Sequence, residues 1–192
     1  RRTVPSSANQ RNVRRVRRRS LRNPRRAFCE LTAILPESQR QSDRVLIVGA
    51  GPAGLTIAAC LAEAGLEATV LEAERALPTN LRASTFHPPT LDMLDRFGAT
   101  EKLLEYGLIA PTFQYRTRSE GILGEFDFGE LRDVTTRPFR LQCEQYKLNF
   151  ALLDYIDARQ SVDVRFDAVV ESAIQDEDGV TVRLANGETV SG

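Results

Sequence analysis

The stretch DRVLIVGAGPAGLTIAACLAEAGLEATVLEAE, residues 43–74, limits the possible folds more than any other part of the chain. An apolar run leads into a glycine-rich turn, an alanine-rich segment follows, and a second apolar run ends in acid. The pattern predicts a buried strand over Arg44–Val48, a helix over Ala53–Ala64 stopped by Gly65, and a second strand over Ala68–Leu71. GAGPAG sets Gly49, Gly51 and Gly54 in G-x-G-x-x-G spacing, and the motif carries weight because a strand precedes it and a helix follows. The three glycines act separately. Gly49 permits the tight turn, Gly51 lets a pyrophosphate approach the backbone, and Gly54 allows the helix to pack closely on the sheet. Pro52 costs little in a first helical turn, where its missing N–H had no partner to lose. The N–H groups at the helix start, from Ala53 and Gly54 onward, are free to bind phosphate oxygens with the helix dipole behind them.

Glu72 follows the second strand, 23 residues after Gly49. A carboxylate there suits the two ribose hydroxyls of an adenosine and repels a 2′-phosphate, which disfavours NADP at this site. Glu74 and Arg75 read as a solvated surface pair. The motif therefore calls for an ADP-containing dinucleotide and leaves FAD and NAD both open.

The remaining sequence places this unit in an α/β protein with added β structure. Pro88–Phe97 and Thr100–Tyr106 have helical patterning with Gly98 as a stop between them, and residues 112–131 alternate about Gly121 as a β-hairpin does. Glu144–Ala158 has helical spacing at Tyr146, Phe150, Leu153 and Ile156. Residues 162–166 read as a strand, and turn signals at Asp178–Gly179 and Asn186–Gly187 give a closing meander.

Charge divides the chain. Residues 1–42 carry 12 Arg against only Glu30 and Glu37, whereas residues 43–192 carry 14 basic and 24 acidic residues. Like charges without a buriable face predict disorder over 1–42. A leader or translated upstream sequence is the favoured reading of this tail, with an organellar transit peptide and a nucleic-acid arm as alternatives. Three cysteines (Cys29, Cys60, Cys143) without paired spacing argue against a disulfide framework or a zinc site, and Cys60 among alanines reads as a small buried residue. The single histidine, His87, removes most metal-site and Ser-His-Asp schemes from consideration, and it reads as a helix-entry residue rather than a proton relay. No apolar run approaches the roughly 20 residues that span a bilayer. These features together fit a soluble, cytoplasmic protein.

Beyond the glycine turn, LRASTFHPPTLDMLDRFGATEKLLEYG and RLQCEQYKLNFALLDYI resemble the FAD-dependent aromatic hydroxylases, single-component flavoprotein monooxygenases related to p-hydroxybenzoate and 3-(3-hydroxyphenyl)propionate hydroxylases. The resemblance covers residues 43–192, as the N-terminal part of such an enzyme. It implies an FAD/NAD(P)-binding Rossmann-like domain of the glutathione-reductase type, with an inserted β-hairpin from an incomplete substrate domain. Arg82 matches the family's arginine beside the FAD diphosphate, and Ala83, Ser84 and Thr85 would lie along the cofactor. Gln142 matches the family's flavin-nucleotide glutamine, with Gln145 the weaker match. A guanidinium suits a diphosphate, and an amide suits ribose or ribityl hydroxyls.

The resemblance also implies a reaction: NADH or NADPH, visiting transiently, reduces FAD, and the reduced flavin takes up O2 as a C4a-hydroperoxide that oxygenates a phenolic ring. The family's later "Asp-Gly" and "Gly-Asp" segments do not appear before Gly192, so the isolated chain is expected to bind FAD weakly and to hydroxylate nothing. Phe113, Tyr115 and Phe126 could line an aromatic pocket or form one face of a packed sheet, and alternation alone assigns them no role. The rival readings are another FAD enzyme (halogenase, epoxidase or amine oxidase), an NAD-dependent dehydrogenase, and a non-enzymatic fragment or nucleic-acid binder.

Overall fold

The computed structural model describes residues 44–177 and 179–192. The expected disorder of the Arg-rich tail, Cys29 and Asp178 of one predicted turn lie outside them.

Strand β1 (Val45–Val48), helix α1 (Pro52–Ala64) and strand β2 (Ala68–Leu71) form a βαβ unit whose strands pair in parallel, Val45 opposite Ala68 through Val48 opposite Leu71. Parallel neighbours need a crossover, and the alanine-rich helix supplies it. The helix ends where the sequence predicts: Gly65 is left-handed (φ 70°) and its N–H donates to the Ala62 carbonyl, while the Leu66 N–H donates to that of Leu61. On the other edge of β2 lies β8 (Val162–Arg165), again parallel, with Ala68 opposite Val162.

All four residues of β2 are buried, because it is the central strand and a core lies against each of its faces, whereas Val45 and Val48 of β1 stay exposed. Side chains alternate across a strand, so Ile47, Ala68 and Val70 enter the larger core with the α1 residues Leu55, Ala58, Ala59 and Ala62. Leu46 and Leu71 enter a smaller core on the opposite side. That second core is closed by the antiparallel meander β9 (Val170–Gln175), β10 (Val180–Leu184) and β11 (Thr189–Ser191), through Val182, Leu184 and Val190.

Between β2 and β8 the chain builds β3 (Thr85–Phe86), α2 (Pro88–Leu94), α3 (Ala99–Leu104), β4 (Leu108–Ala110), the hairpin β5 (Thr112–Thr117) and β6 (Gly121–Asp127), β7 (Arg140–Gln142) and α4 (Tyr146–Asp157). Three features differ from the sequence reading. The helix expected over Pro88–Phe97 tightens into a 3-10 turn at Asp95–Phe97 before the left-handed Gly98. Helix α4 has the expected period, but its buried face is Leu148, Ala151, Leu152 and Ile156, and Phe150 stays 42% exposed. Helix α4 packs against α1, where a row of alanines admits close approach by residues of moderate size. Finally, β3, β7 and β4 form a small antiparallel sheet with β7 at its centre, an element with no counterpart in the sequence reading.

Cys60 is only half-buried, and burial pushes its thiol pKa up. Among the described residues, no helix is long and apolar enough to cross a membrane.

Candidate FAD site

The glycine loop turns at the end of β1. Gly49 has φ 97°, a conformation that side chains other than glycine rarely adopt, and its N–H is fixed by the Leu71 carbonyl at 2.8 Å. Gly54 satisfies a different constraint: a Cβ there would sit 2.0 Å from the Gly49 carbonyl oxygen, so only hydrogen lets the first helical turn lie against the loop. At Gly51 a Cβ would meet nothing within 4 Å, so the loop's outer surface is open to a ligand.

The first bond of the α1 ladder runs from the Leu55 N–H to the Gly51 carbonyl, 2.9 Å. The N–H groups of Ala53 and Gly54 thus precede the ladder, Pro52 contributes none, and no side chain caps the helix. An open loop with unbonded helix-start donors and no capping side chain fits an anionic diphosphate.

Glu72 holds the loop from the β2 side. Its Oε2 accepts a 2.6 Å hydrogen bond from the Ala50 N–H, and Oε1 accepts from the Glu74 N–H at 3.0 Å. Two carboxylate oxygens offer about four acceptor positions, so capacity remains for ribose hydroxyls.

A second group of candidate residues gathers on the small sheet. Thr85 lies opposite Gln142 in the β3–β7 pairing. The Thr85 hydroxyl donates to Gln142 Oε1 at 3.2 Å, and Gln142 Nε2 donates to the Ser84 hydroxyl at 2.7 Å. Backbone bonds from the Cys143 N–H to the Ser84 carbonyl and from the Gln145 N–H to the Ala83 carbonyl extend this zipper. Gln145 joins it only through its backbone. Arg82 is exposed, two residues before Ser84, and makes no ion pair among the described residues.

His87 is the residue before α2, with extended backbone and a carbonyl that accepts from the Thr90 and Leu91 N–H groups. It therefore serves as the helix-entry residue. Phe113, Tyr115 and Phe126 do come together, with centroids 4.8, 6.5 and 6.0 Å apart, while Tyr115 remains 59% and Phe126 57% exposed. Sequence reasoning missed Arg140, whose guanidinium lies 5.2 Å from the Phe113 ring centre. The alternation Arg-Leu-Gln at 140–142 was its only signal, and three residues are too few to establish a period.

A second residue outside the sequence reading is Arg137, which ties the loop before β7 to the helical segment. It donates to both Asp95 carboxylate oxygens, at 3.2 and 2.9 Å, and also to Glu101. These carboxylates raise the guanidinium's already high pKa, Asp95 contributing most.

The family described as FAD binding domain matches residues 43–191. The chain is 31% identical over 144 residues to para-nitrophenol 4-monooxygenase of Pseudomonas sp. (strain WBC-3), covering 75% of this chain and 36% of that protein. It is 35% identical over 127 residues to 6-hydroxy-3-succinoylpyridine 3-monooxygenase HspB of Pseudomonas putida (strain DSM 28022 / S16), covering 66% of this chain and 32% of the relative. The crystal structure of p-nitrophenol 4-monooxygenase PnpA from Pseudomonas putida DLL-E4 superposes with a TM-score of 0.71 at 30% identity, over 78% of this chain and 38% of that one. The chain thus spans well under half the length of these relatives. With the glycine loop, its acid and its sheet topology in agreement with the match, the chain belongs to the FAD binding domain family represented among the aromatic-ring monooxygenases.

Proposed function

We propose that this chain is the FAD-holding portion of an NAD(P)H-dependent monooxygenase that hydroxylates a phenolic ring with O2. The single observation that carries this reading is the open glycine loop, with unbonded donors at the start of α1 and the Glu72 carboxylate at its flank. Ala53 and Gly54 would bind the diphosphate through their N–H groups, with the Arg82 guanidinium adding charge. Glu72 would accept from ribose hydroxyls, and Ser84, Thr85 and Gln142 would orient the nucleotide through hydroxyl and amide groups. When bound, FAD supplies the redox and oxygen-activating chemistry. The protein's part is to bind and orient both molecules and to exclude water.

Two relatives named for monooxygenation of a nitrophenol and of a hydroxypyridine support a hydroxyl-bearing ring as substrate. NADH or NADPH is a transient reductant in this reading. A cytoplasmic site of action accords with the free thiols of Cys60 and Cys143.

The test is a visible absorbance titration of the purified chain with FAD, repeated with NAD as competitor. The expected result is a perturbed flavin spectrum that excess NAD does not reverse. Absence of FAD binding, with or without binding of NAD, would overturn the proposal.

A further inference from the structure

Strand β7 has two faces. Leu141 points into the larger core, fully buried, so Arg140 and Gln142 share the opposite face. Across the small sheet that face shows Thr85, Gln142 and Leu108 in one row and Arg140 beside Ala110 in the next. Ala110 adds only a methyl group next to the guanidinium. The chain then passes Pro111 into β5, and Phe113 comes under the guanidinium of Arg140. Arg140 therefore stands between the row that holds Gln142 and the aromatic group of Phe113, Tyr115 and Phe126.

Among the described residues, the half-buried Arg140 has no anionic partner. Its Nε is buried without a hydrogen bond, and the side chain makes no ion pair among the described residues. Arg137, three residues earlier, shows the usual arrangement, paired with Asp95 and Glu101. A guanidinium N–H held away from water without an acceptor is costly. The Phe113 ring offsets part of that cost through its quadrupole, but it offers no acceptor for the N–H groups.

We propose that Arg140 is a specificity-determining residue that receives the oxyanion of an aromatic ligand, a phenolate, while the ring lies against Phe113, Tyr115 and Phe126. The assignment rests on the functional reading above and narrows it to the ionised form of the ring. The fork of N–H donors suits an oxygen anion, and the exposed aromatic faces suit a flat ring. A neutral ring of the same shape satisfies the aromatic faces and leaves the cation unpaired.

The experiment compares the wild-type chain with Arg140→Gln and Arg140→Lys. Calorimetric titrations use 4-nitrophenol at a pH where it is ionised, and 4-nitroanisole as the uncharged counterpart, each with and without FAD. The wild type is expected to prefer the phenolate by about tenfold, the size of one charge-assisted hydrogen bond. Arg140→Gln removes that preference while 4-nitroanisole and FAD bind as before, and Arg140→Lys restores part of it. Equal binding of the two rings by the wild type, or equal weakening of both in Arg140→Gln, overturns the assignment. Absence of FAD binding overturns the functional reading on which it rests, whereas FAD binding without a phenolate preference overturns the Arg140 assignment alone.

Discussion

The Glu72 carboxylate and the Ala50 backbone N–H meet at 2.6 Å, fastening the end of one strand to the middle of the glycine loop that follows another. The carboxylate thereby shapes the loop before any nucleotide arrives. Glu72→Gln keeps one acceptor but loses the charge that strengthens this bond. We expect the unliganded protein to lose about 1–2 kcal/mol of stability, since hydrogen bonds to charged groups are worth a little more than neutral ones. FAD affinity is expected to fall by about tenfold in addition, if the proposed ribose contact weakens. Urea denaturation without ligand and an FAD titration separate the two effects, and unchanged values in both would show the carboxylate to be a bystander.

Gly54 and Gly51 separate packing from ligand access. Gly54→Ala forces a Cβ to within 2.0 Å of the Gly49 carbonyl oxygen, whereas Gly51→Ala meets nothing within 4 Å. The first substitution should cost about 3 kcal/mol, at the upper end for overpacking. The second should stay within about 1 kcal/mol, the cost of a poorer helix-capping residue, yet weaken FAD binding by placing a methyl group where the diphosphate is proposed to approach. Denaturation midpoints and FAD titrations on both variants decide it. Similar stability losses in the two would remove the distinction.

Arg137 clamps the loop before β7 to the helical segment through both oxygens of Asp95, with side-chain exposures of 21% and 24%. A bidentate, partly shielded pair is worth more than a solvated one. A double-mutant cycle with Arg137→Gln and Asp95→Asn should give a coupling of about 1 kcal/mol, reduced by added salt. No measurable coupling would mean that the loop holds its course without the clamp.

Alkaline pH should weaken the fold. Burial raises the pKa values of the Cys60 and Cys143 thiols and the Tyr155 phenol above their ordinary values of 9.0, 9.0 and 10.0. For each group the folded state binds the proton more tightly than the unfolded chain does. The associated stability is therefore complete below the unfolded pKa and is lost as pH rises through the folded one. Melting temperature measured under reducing conditions should be flat around pH 8 and decline from about pH 9 upward. Cys60→Ala and Cys143→Ala together should blunt the first part of that decline, and an unaltered profile would place its cause elsewhere.

The parts of this fold that are legible in the sequence are those whose physics is local. Residues 44–72 announce strand, turn, helix and strand because each period runs long enough to repeat, and because Gly49 and Gly65 sit where the backbone turns left-handed. The small sheet is not legible, since strands of two and three residues have no period of their own and form only by pairing Thr85 with Gln142 and Leu108 with Gln142. Helix α4 shows the limit differently: its period is evident, but the choice of buried face depends on the alanines of α1, far away in sequence. Among the candidate residues, Ser84, Thr85 and Gln142 follow from resemblance alone, and only the fold accounts for their hydrogen bonding to one another. Arg140 stands out because no anion among the described residues pairs with it, and an absent pairing leaves no trace in a string of letters.

The pairing of β2 with β8 also constrains how the molecule assembles. The β1–α1–β2 unit closes over a short span, but Ala68 must wait for Val162, separated from it by most of the described chain. Closing so large a loop costs entropy before it yields contacts, so the third strand of this sheet docks late. The Glu72 N–H donates to the Arg165 carbonyl, and the Glu72 carbonyl accepts from the Ala168 N–H, both at 2.8 Å. Pulse-labelling hydrogen exchange during refolding should accordingly protect the Ile47 amide before that of Glu72. Glu72 is then expected to take up its final orientation at one of the last steps of folding, so under the proposed function FAD capture would wait for that distant strand to arrive.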